Sequence, residues 1–199
     1  MFNIYILNNA SKINKLNLIE NLPNLFIKHV NKFKNDNQKN IEVISYLLLT
    51  NLLKKKTNIK NISFSIYGKP YIRNSKIHFN LSNTKNIVVC ALSNYPVGVD
   101  VVETNSIKLD NVSHILHHNE LSRYKNSLNK KLTFAKFWVI KEAYLKYKGT
   151  GFIKAPNKLD TTKIKHIHIK MYKNYVLSYY SIAKLNRIIF LKSNTPLLK

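Results

Sequence analysis

The chain has 199 residues, 45% of them hydrophobic, with 12 Tyr and 9 Phe, so a disordered chain is excluded as the default. That length can bury a core as one domain or as two small subdomains. The formal net charge of +24, from 33 Lys and Arg against 9 Asp and Glu, points to an anionic partner: nucleic acid, phosphorylated ligand, acidic protein or membrane surface.

Arg stands only at Arg73, Arg123 and Arg187, whereas Lys, Asn and Ile abound. Those three residue types have A/T-rich codons, so base drift accounts for part of the charge. Arg is the preferred residue for planar, bidentate recognition of phosphates and bases, and here it is scarce. Cys90 is the only cysteine, which excludes an intrachain disulfide and a thiolate metal cluster. It lies in the apolar run Ile87-Val88-Val89-Cys90-Ala91-Leu92, where a buried, inert thiol is expected.

The first predicted element is a strand at Phe2-Asn3-Ile4-Tyr5-Ile6-Leu7, too short and too polar at its flanks for a secretory signal. No stretch approaches the ~20 apolar residues of a membrane span. A soluble cytoplasmic protein with no membrane partner is expected. A helix follows over residues 22–33, with Pro23 in its first turn, and another over 41–55. Lys54-Lys55-Lys56 suits a helix C-terminus.

The pattern then turns to strands. Residues 62–66 alternate, predicting one buried face, and Tyr67-Gly68-Lys69-Pro70 is a turn. Strands are predicted at 77–81 and 87–92, with a polar bend at Ser82-Asn83-Thr84 between them. Asn94-Tyr95-Pro96 leads into a strand over 97–102, which places the architectural midpoint near Tyr95.

Short helices are predicted at 112–117 and 119–126, the second with Asn119 at its N-terminal turn. A long helix over 131–148 ends at Gly149 in a left-handed cap, and strands follow near 164–171, 175–181 and 187–191. The order implies an α+β fold of two related halves. Residues 1–95 would form an N-terminal subdomain and 96–199 a C-terminal one, in a pseudo-two-fold arrangement with the active site at their interface.

Two stretches carry chemistry. Gly98-Val99-Asp100-Val101 is an apolar strand that contains a carboxylate, and a desolvated carboxylate is costly unless a cation or donors meet it. The long helix places Glu142 and Lys146 one turn apart. A divalent metal between Asp100 and Glu142 would supply the cation, suggesting metal-assisted phosphate chemistry. Projected at roughly 100° per residue, Lys141 falls within the stripe of Phe134, Phe137, Trp138, Tyr144 and Leu145. It either snorkels or faces an internal anion.

At these residues the chain resembles the 4′-phosphopantetheinyl transferases of the Sfp type. Gly98-Val99-Asp100 and the helix Trp138 to Lys146 match its strand and helix pattern. Gly68-Lys69-Pro70, Phe79-Asn80-Leu81-Ser82, the segment Ile115 to Glu120, and Gly149-Thr150-Gly151 match in the same order. The resemblance implies transfer of the 4′-phosphopantetheine arm of coenzyme A to a serine of an apo acyl- or peptidyl-carrier protein, with release of 3′,5′-ADP. It implies Mg²⁺ held by Asp100 and Glu142, with Glu142 helping to deprotonate the serine and Lys146 assisting the leaving group. Lys69, Pro70, Ser82, Asn83 and Lys141 are then the candidate coenzyme A contacts, and a monomer is expected.

Two departures from the family pattern stand out. Val102 occupies the usual place of a second acid, and Glu103 faces the other side of the strand. Asn83 stands where the family usually has His. The first 60 residues match no family motif; Lys28, Lys32 and Lys34 are weak candidates for a 3′-phosphate contact. A competing reading is a basic nucleic-acid-binding protein on a decayed transferase fold. The His114, His117 and His118 group, His166 with His168, and the tyrosines at 172, 175, 179 and 180 are read as solvated or packed rather than functional.

Overall fold

The computed structural model describes residues 1–54 and 56–198. Strand β1 (Phe2–Asn8) alternates between two cores. Its Phe2, Ile4 and Ile6 face one, while Leu7 faces another. Two 3-10 turns, Ala10–Lys12 and Leu16–Asn21, lead to helix α1 (Asn24–Val30), with Pro23 just before its first turn.

Helix α2 (Asp36–Leu53) begins five residues earlier than its apolar run implied. Asn35 caps it by accepting from the Gln38 N–H, and the first turn is polar because it faces solvent. The predicted end at Lys55 lies outside the described residues.

Strands β2 (Ile62–Phe64) and β3 (Pro70–Ile72) form a small hairpin. The alternation through Ile66 misled: the strand stops at Phe64 and Ile66 is 91% exposed. Ser65 starts the turn instead, its carbonyl accepting from the Gly68 N–H, with Gly68 at φ +81°.

Next come β4 (His78–Asn83), β5 (Ile87–Ser93) and β6 (Gly98–Glu103). Two short helices, α3 (Val112–Ile115) and α4 (His118–Lys125), precede the long α5 (Lys130–Lys148). His117, not Asn119, caps α4: its ring accepts from the Asn119 N–H while Glu120 reaches back to the His117 N–H. Gly149 closes α5 at φ +72°, as expected. Strands β7 (Ile167–Tyr172), β8 (Tyr175–Tyr180) and β9 (Arg187–Leu191) complete the chain.

The strands make a four-stranded sheet, β4-β5-β1-β9, and a three-stranded sheet, β6-β8-β7. Val88, Cys90 and Leu92 of β5 pack under α1 and α2. Ile87, Val89 and Ala91 meet Val99 and Val101 of β6 and Tyr175, Leu177 and Tyr179 of β8 between the sheets. The second sheet turns Val176 toward Phe134 and Val139 of α5. The order is therefore helix, sheet, sheet, helix, and the mixed α+β class holds. Burial on both faces explains why β5 is apolar from Ile87 to Leu92.

The two expected halves share a strand. β9 pairs in parallel with β1, so residues 187–191 return to the first sheet. Cys90 is fully buried, with its thiol pushed up to about 12 by burial, as an inert side chain should be. Among the described residues no helix is long and apolar enough to cross a membrane.

Candidate active site

β4 and β6 lie edge to edge, and two side chains join them. Asn80 Oδ1 accepts from the Val99 N–H at 2.7 Å, and Ser82 Oγ accepts from the Val101 N–H at 3.2 Å. Both side chains are buried, so each of these bonds satisfies a backbone donor that water cannot reach. Asn80 was not picked out individually from the sequence. Its signal was the Phe79-Asn80-Leu81-Ser82 run, in which polar and apolar residues alternate.

Strand period then fixes what faces α5. Gly98, Asp100 and Val102 share that side of β6. A Cβ at Gly98 would lie 2.0 Å from the Ala143 carbonyl oxygen and 2.4 Å from the Tyr147 nitrogen, so only glycine admits the helix this closely. The close approach brings Glu142 and Lys146 over Asp100.

Asp100 Oδ1 lies 2.7 Å from the Lys146 ammonium and accepts from Ser82 Oγ at 2.7 Å. Lys146 also donates to Ser82 Oγ at 3.0 Å. The Glu142 carboxyl titrates above its ordinary range, first because burial desolvates it and second because Asp100 is a nearby negative charge; Lys146 opposes both. Two carboxylates in a partly desolvated site favour a cation between them. Their oxygen-only donor set suits a hard divalent ion, although no cluster of three or more metal-ligating side chains exists among the described residues.

Asp100, Ser82 and Lys146 open on a cleft of about 300 Å³ whose wall also includes Gly68, Pro70 and Asn83; Glu142 lies beside the cluster and is not part of that wall. Four further wall residues lie in the segment that matched no motif or beside it: His29, Glu42, Tyr46 and Phe64. Sequence reasoning missed them because they reach the cleft through the packing of α1, α2 and β2, not through local spacing. A larger cleft of about 780 Å³ adjoins it, sharing Glu42 and Asn83. The larger space lacks the charged cluster, so the smaller cleft is the candidate site.

Two of the candidate contacts point elsewhere. Lys141 is fully buried and faces an internal anion: its ammonium lies 2.8 Å from Glu120 Oε2 and 3.0 Å from Oε1. It also donates to the carbonyls of Pro156 and Leu159. With its donors consumed inside the protein, Lys141 is corrected from a coenzyme A contact to a structural group. Burial lowers its pKa, and Glu120 opposes that shift. Glu120 further accepts from the backbone and hydroxyl of Thr161 at 2.8 and 2.6 Å, tying α4, α5 and the loop after α5 together.

Lys69 donates to the Tyr147 carbonyl at 3.0 Å, beneath Gly149, rather than projecting into the cleft beside Asp100. Lys28 and Lys34 line neither cleft, and Lys32 approaches only closely enough to lower the His29 pKa, after burial and against Glu42. Asn83 donates to Glu42 Oε1 at 3.0 Å and to Ser45 Oγ at 3.2 Å.

The departures at β6 are also placed. Val102 packs against the cluster of Ile107, Val139 and Val176. Glu103 turns away and accepts from Asn174 Nδ2 at 2.6 Å. The histidine pair at 117 and 118 is a cap with a neighbouring ring tilted against it, His117 lying 3.7 Å from Asp160. Burial pushes the Asp160 carboxyl upward, but hydrogen bonds from Thr162 and Asn119 and the His117 charge outweigh that and hold it at about 2. Tyr175 and Tyr179 pack between the sheets, Tyr180 on Tyr144 and Tyr147, and Tyr172 on Phe190.

Residues 96–188, the segment that carries Asp100, Glu142 and Lys146, match the family model described as the 4′-phosphopantetheinyl transferase superfamily. This segment is similar to that superfamily. The chain is 37% identical over 117 residues to the 4′-phosphopantetheinyl transferase gsp of Aneurinibacillus migulanus, an alignment covering 55% of this chain and 48% of the relative. It is 32% identical over 88 residues to the 4′-phosphopantetheinyl transferase Sfp of Bacillus subtilis (strain 168), covering 43% of this chain and 39% of the relative. A third relative, the L-aminoadipate-semialdehyde dehydrogenase-phosphopantetheinyl transferase of Candida glabrata, is 30% identical over 96 residues, covering 43% and 37%. The chain thus spans less than half the length of these curated relatives. The Sfp-type resemblance drawn from the sequence stands.

Proposed function

We propose that this chain transfers the 4′-phosphopantetheine arm of coenzyme A to a serine of an apo acyl- or peptidyl-carrier protein and releases 3′,5′-ADP. The observation that carries the reading is the Asp100, Ser82 and Lys146 cluster beneath Glu142, at the mouth of a cleft built from both sheets. The names of the three relatives support the same reaction.

In this reading Asp100 and Glu142 would hold Mg²⁺, which when bound supplies neutralisation of the pyrophosphate. Lys146, which donates to Asp100 and Ser82, would meet the oxygen that becomes charged as ADP departs. Glu142, with its raised pKa, is suited to take the serine proton. Pro70, Ser82 and Asn83 line the space for coenzyme A. The division into 1–95 and 96–199 as related halves is part of the proposal, supported by a long helix on the outer face of each sheet. A monomer suffices, because one chain supplies every group in the cleft.

Incubating the protein with coenzyme A, Mg²⁺ and an apo-carrier protein should add about 340 Da to the carrier, a value set by the transferred group. No gain on any carrier protein of the same genome overturns the reading. With a charge of +24, the chain should also favour an acidic carrier. The rate at limiting carrier should then fall as salt rises, since screening acts beyond ~8 Å at physiological ionic strength.

A further inference from the structure

Among the described residues six of the nine carboxylates pair with no Lys or Arg, and Glu42 is the one of these six that lines a cleft. It lines both clefts, half-buried on α2. Among the described residues no Lys or Arg forms an ion pair with it, and its hydrogen bond is the one from Asn83 to Oε1. Its negative field reaches the neighbouring His29 and Tyr46, raising the pKa of each, although burial governs both shifts. Lys85 lines the larger cleft and Lys146 the smaller, and neither forms an ion pair with Glu42.

A carboxylate that lines a cleft accepts a hydroxyl or amino donor and repels a phosphate dianion. Asn83 cannot offset that repulsion, because it is neutral and its amide already donates to Glu42 and Ser45. Lys146, Asp100 and Ser82 line the same cleft and, in the transferase reading, meet the pyrophosphate. In that reading the nucleoside of the donor lies toward Glu42.

We propose that the Glu42 and Asn83 end of the cleft accepts a free ribose hydroxyl, so that the enzyme prefers a phosphopantetheine donor without the 3′-phosphate, namely 3′-dephospho-coenzyme A. This rests on the transferase reading. The chemistry balances unchanged: the serine oxygen forms a bond to the phosphorus next to pantetheine, and the P–O bond to the second phosphate breaks. That electron pair leaves with adenosine 5′-monophosphate, and the serine proton passes to base.

Direct binding separates the specificity from the activity. Adenosine 5′-monophosphate and adenosine 3′,5′-bisphosphate differ only in the 3′-phosphate, and each is titrated calorimetrically into the wild-type protein and Glu42→Gln with Mg²⁺ at about 0.15 M salt. The monophosphate should bind wild type at least as tightly as the bisphosphate. Glu42→Gln should tighten the bisphosphate about tenfold, which is ~1.4 kcal/mol, while changing the monophosphate much less. Tighter bisphosphate binding by wild type, an unchanged ratio in Glu42→Gln, or no binding of either nucleotide at millimolar concentration overturns the specificity. The wild-type comparison stands even if the variant does not fold. A carrier mass gain from coenzyme A but none from its dephospho form leaves the transferase and removes the preference; no gain from either removes the transferase.

Discussion

Gly98 and Ala143 touch backbone to backbone: a methyl group at residue 98 would sit 2.0 Å from the Ala143 carbonyl oxygen. That contact sets the depth at which α5 meets β6, and with it the distance from Lys146 to Asp100. Gly98→Ala must push the helix away or strain the strand. We expect a loss of roughly 3 kcal/mol or more, a fall in Tm of roughly 6–12 °C, together with most of the activity. A thermal scan that leaves Tm within about 2 °C would mean that α5 does not seat on this strand as described.

The charged cluster makes a sharper distinction between neighbouring acids. Asp100→Asn and Glu142→Gln should each lower turnover by roughly a hundredfold or more, whereas Glu103→Gln should stay within about twofold, because Glu103 bonds Asn174 outside the cleft. Stopped assays on the carrier protein measure all three. Equal damage from Glu103→Gln and Asp100→Asn would contradict the strand facing seen here.

Glu142 also has a pH signature. Its carboxyl titrates above the ordinary range through desolvation and the Asp100 charge, so its active carboxylate form is lost as pH falls through that raised value. For stability the sign is opposite: the folded state binds this proton more readily than the unfolded chain, which favours the fold as pH drops. Asp100→Asn removes the negative neighbour and should bring the Glu142 pKa down toward its usual value, read by carbon NMR of the side-chain carboxyl. An unmoved Glu142 titration in that variant would show that the two carboxylates do not share a field.

Much of this was legible because burial leaves a local trace. β5 is apolar at nearly every position, and α5 ends on a glycine, so their existence and limits followed from the chain itself. Gly98 and Asp100 were legible as a pattern, though the reason for Gly98 is a helix forty-five residues later. Glu120 was legible only as part of a motif, since its pairing with Lys141 depends on how α4 crosses α5. Glu42 carried no local signal: it looks like one more polar residue on a surface helix until β4 brings Asn83 against it. The parallel pairing of β9 with β1, across nearly the full chain, was likewise invisible to spacing.

The Lys141–Glu120 pair predicts an asymmetry in stability. Both side chains are fully buried, so removing one partner leaves an uncompensated charge. Lys141→Met and Glu120→Gln should each cost roughly 3–5 kcal/mol in urea unfolding, and the double variant less than the sum of the two. Additive losses would mean that the two side chains act independently, and an intact Lys141→Met protein with weakened coenzyme A binding would restore Lys141 to the ligand site.

Lys69 should report its burial through alkaline stability. Desolvation pulls its ammonium down to about 8, whereas an unfolded chain holds the proton to about 10.4. Between those values the unfolded state binds the proton and the folded state does not, so this group makes stability rise as pH climbs from about 8 to about 10.4. Subtracting the urea midpoints of Lys69→Met from those of wild type at successive pH values isolates this contribution from that of the other lysines. Wild type should gain on the variant through that window. At neutral pH the variant also loses the bond to the Tyr147 carbonyl at the end of α5, so the helix bearing Lys146 loosens and kcat should fall more than KM rises. Parallel pH curves would place Lys69 in solvent, and a pure rise in KM would return it to the coenzyme A site expected from the sequence.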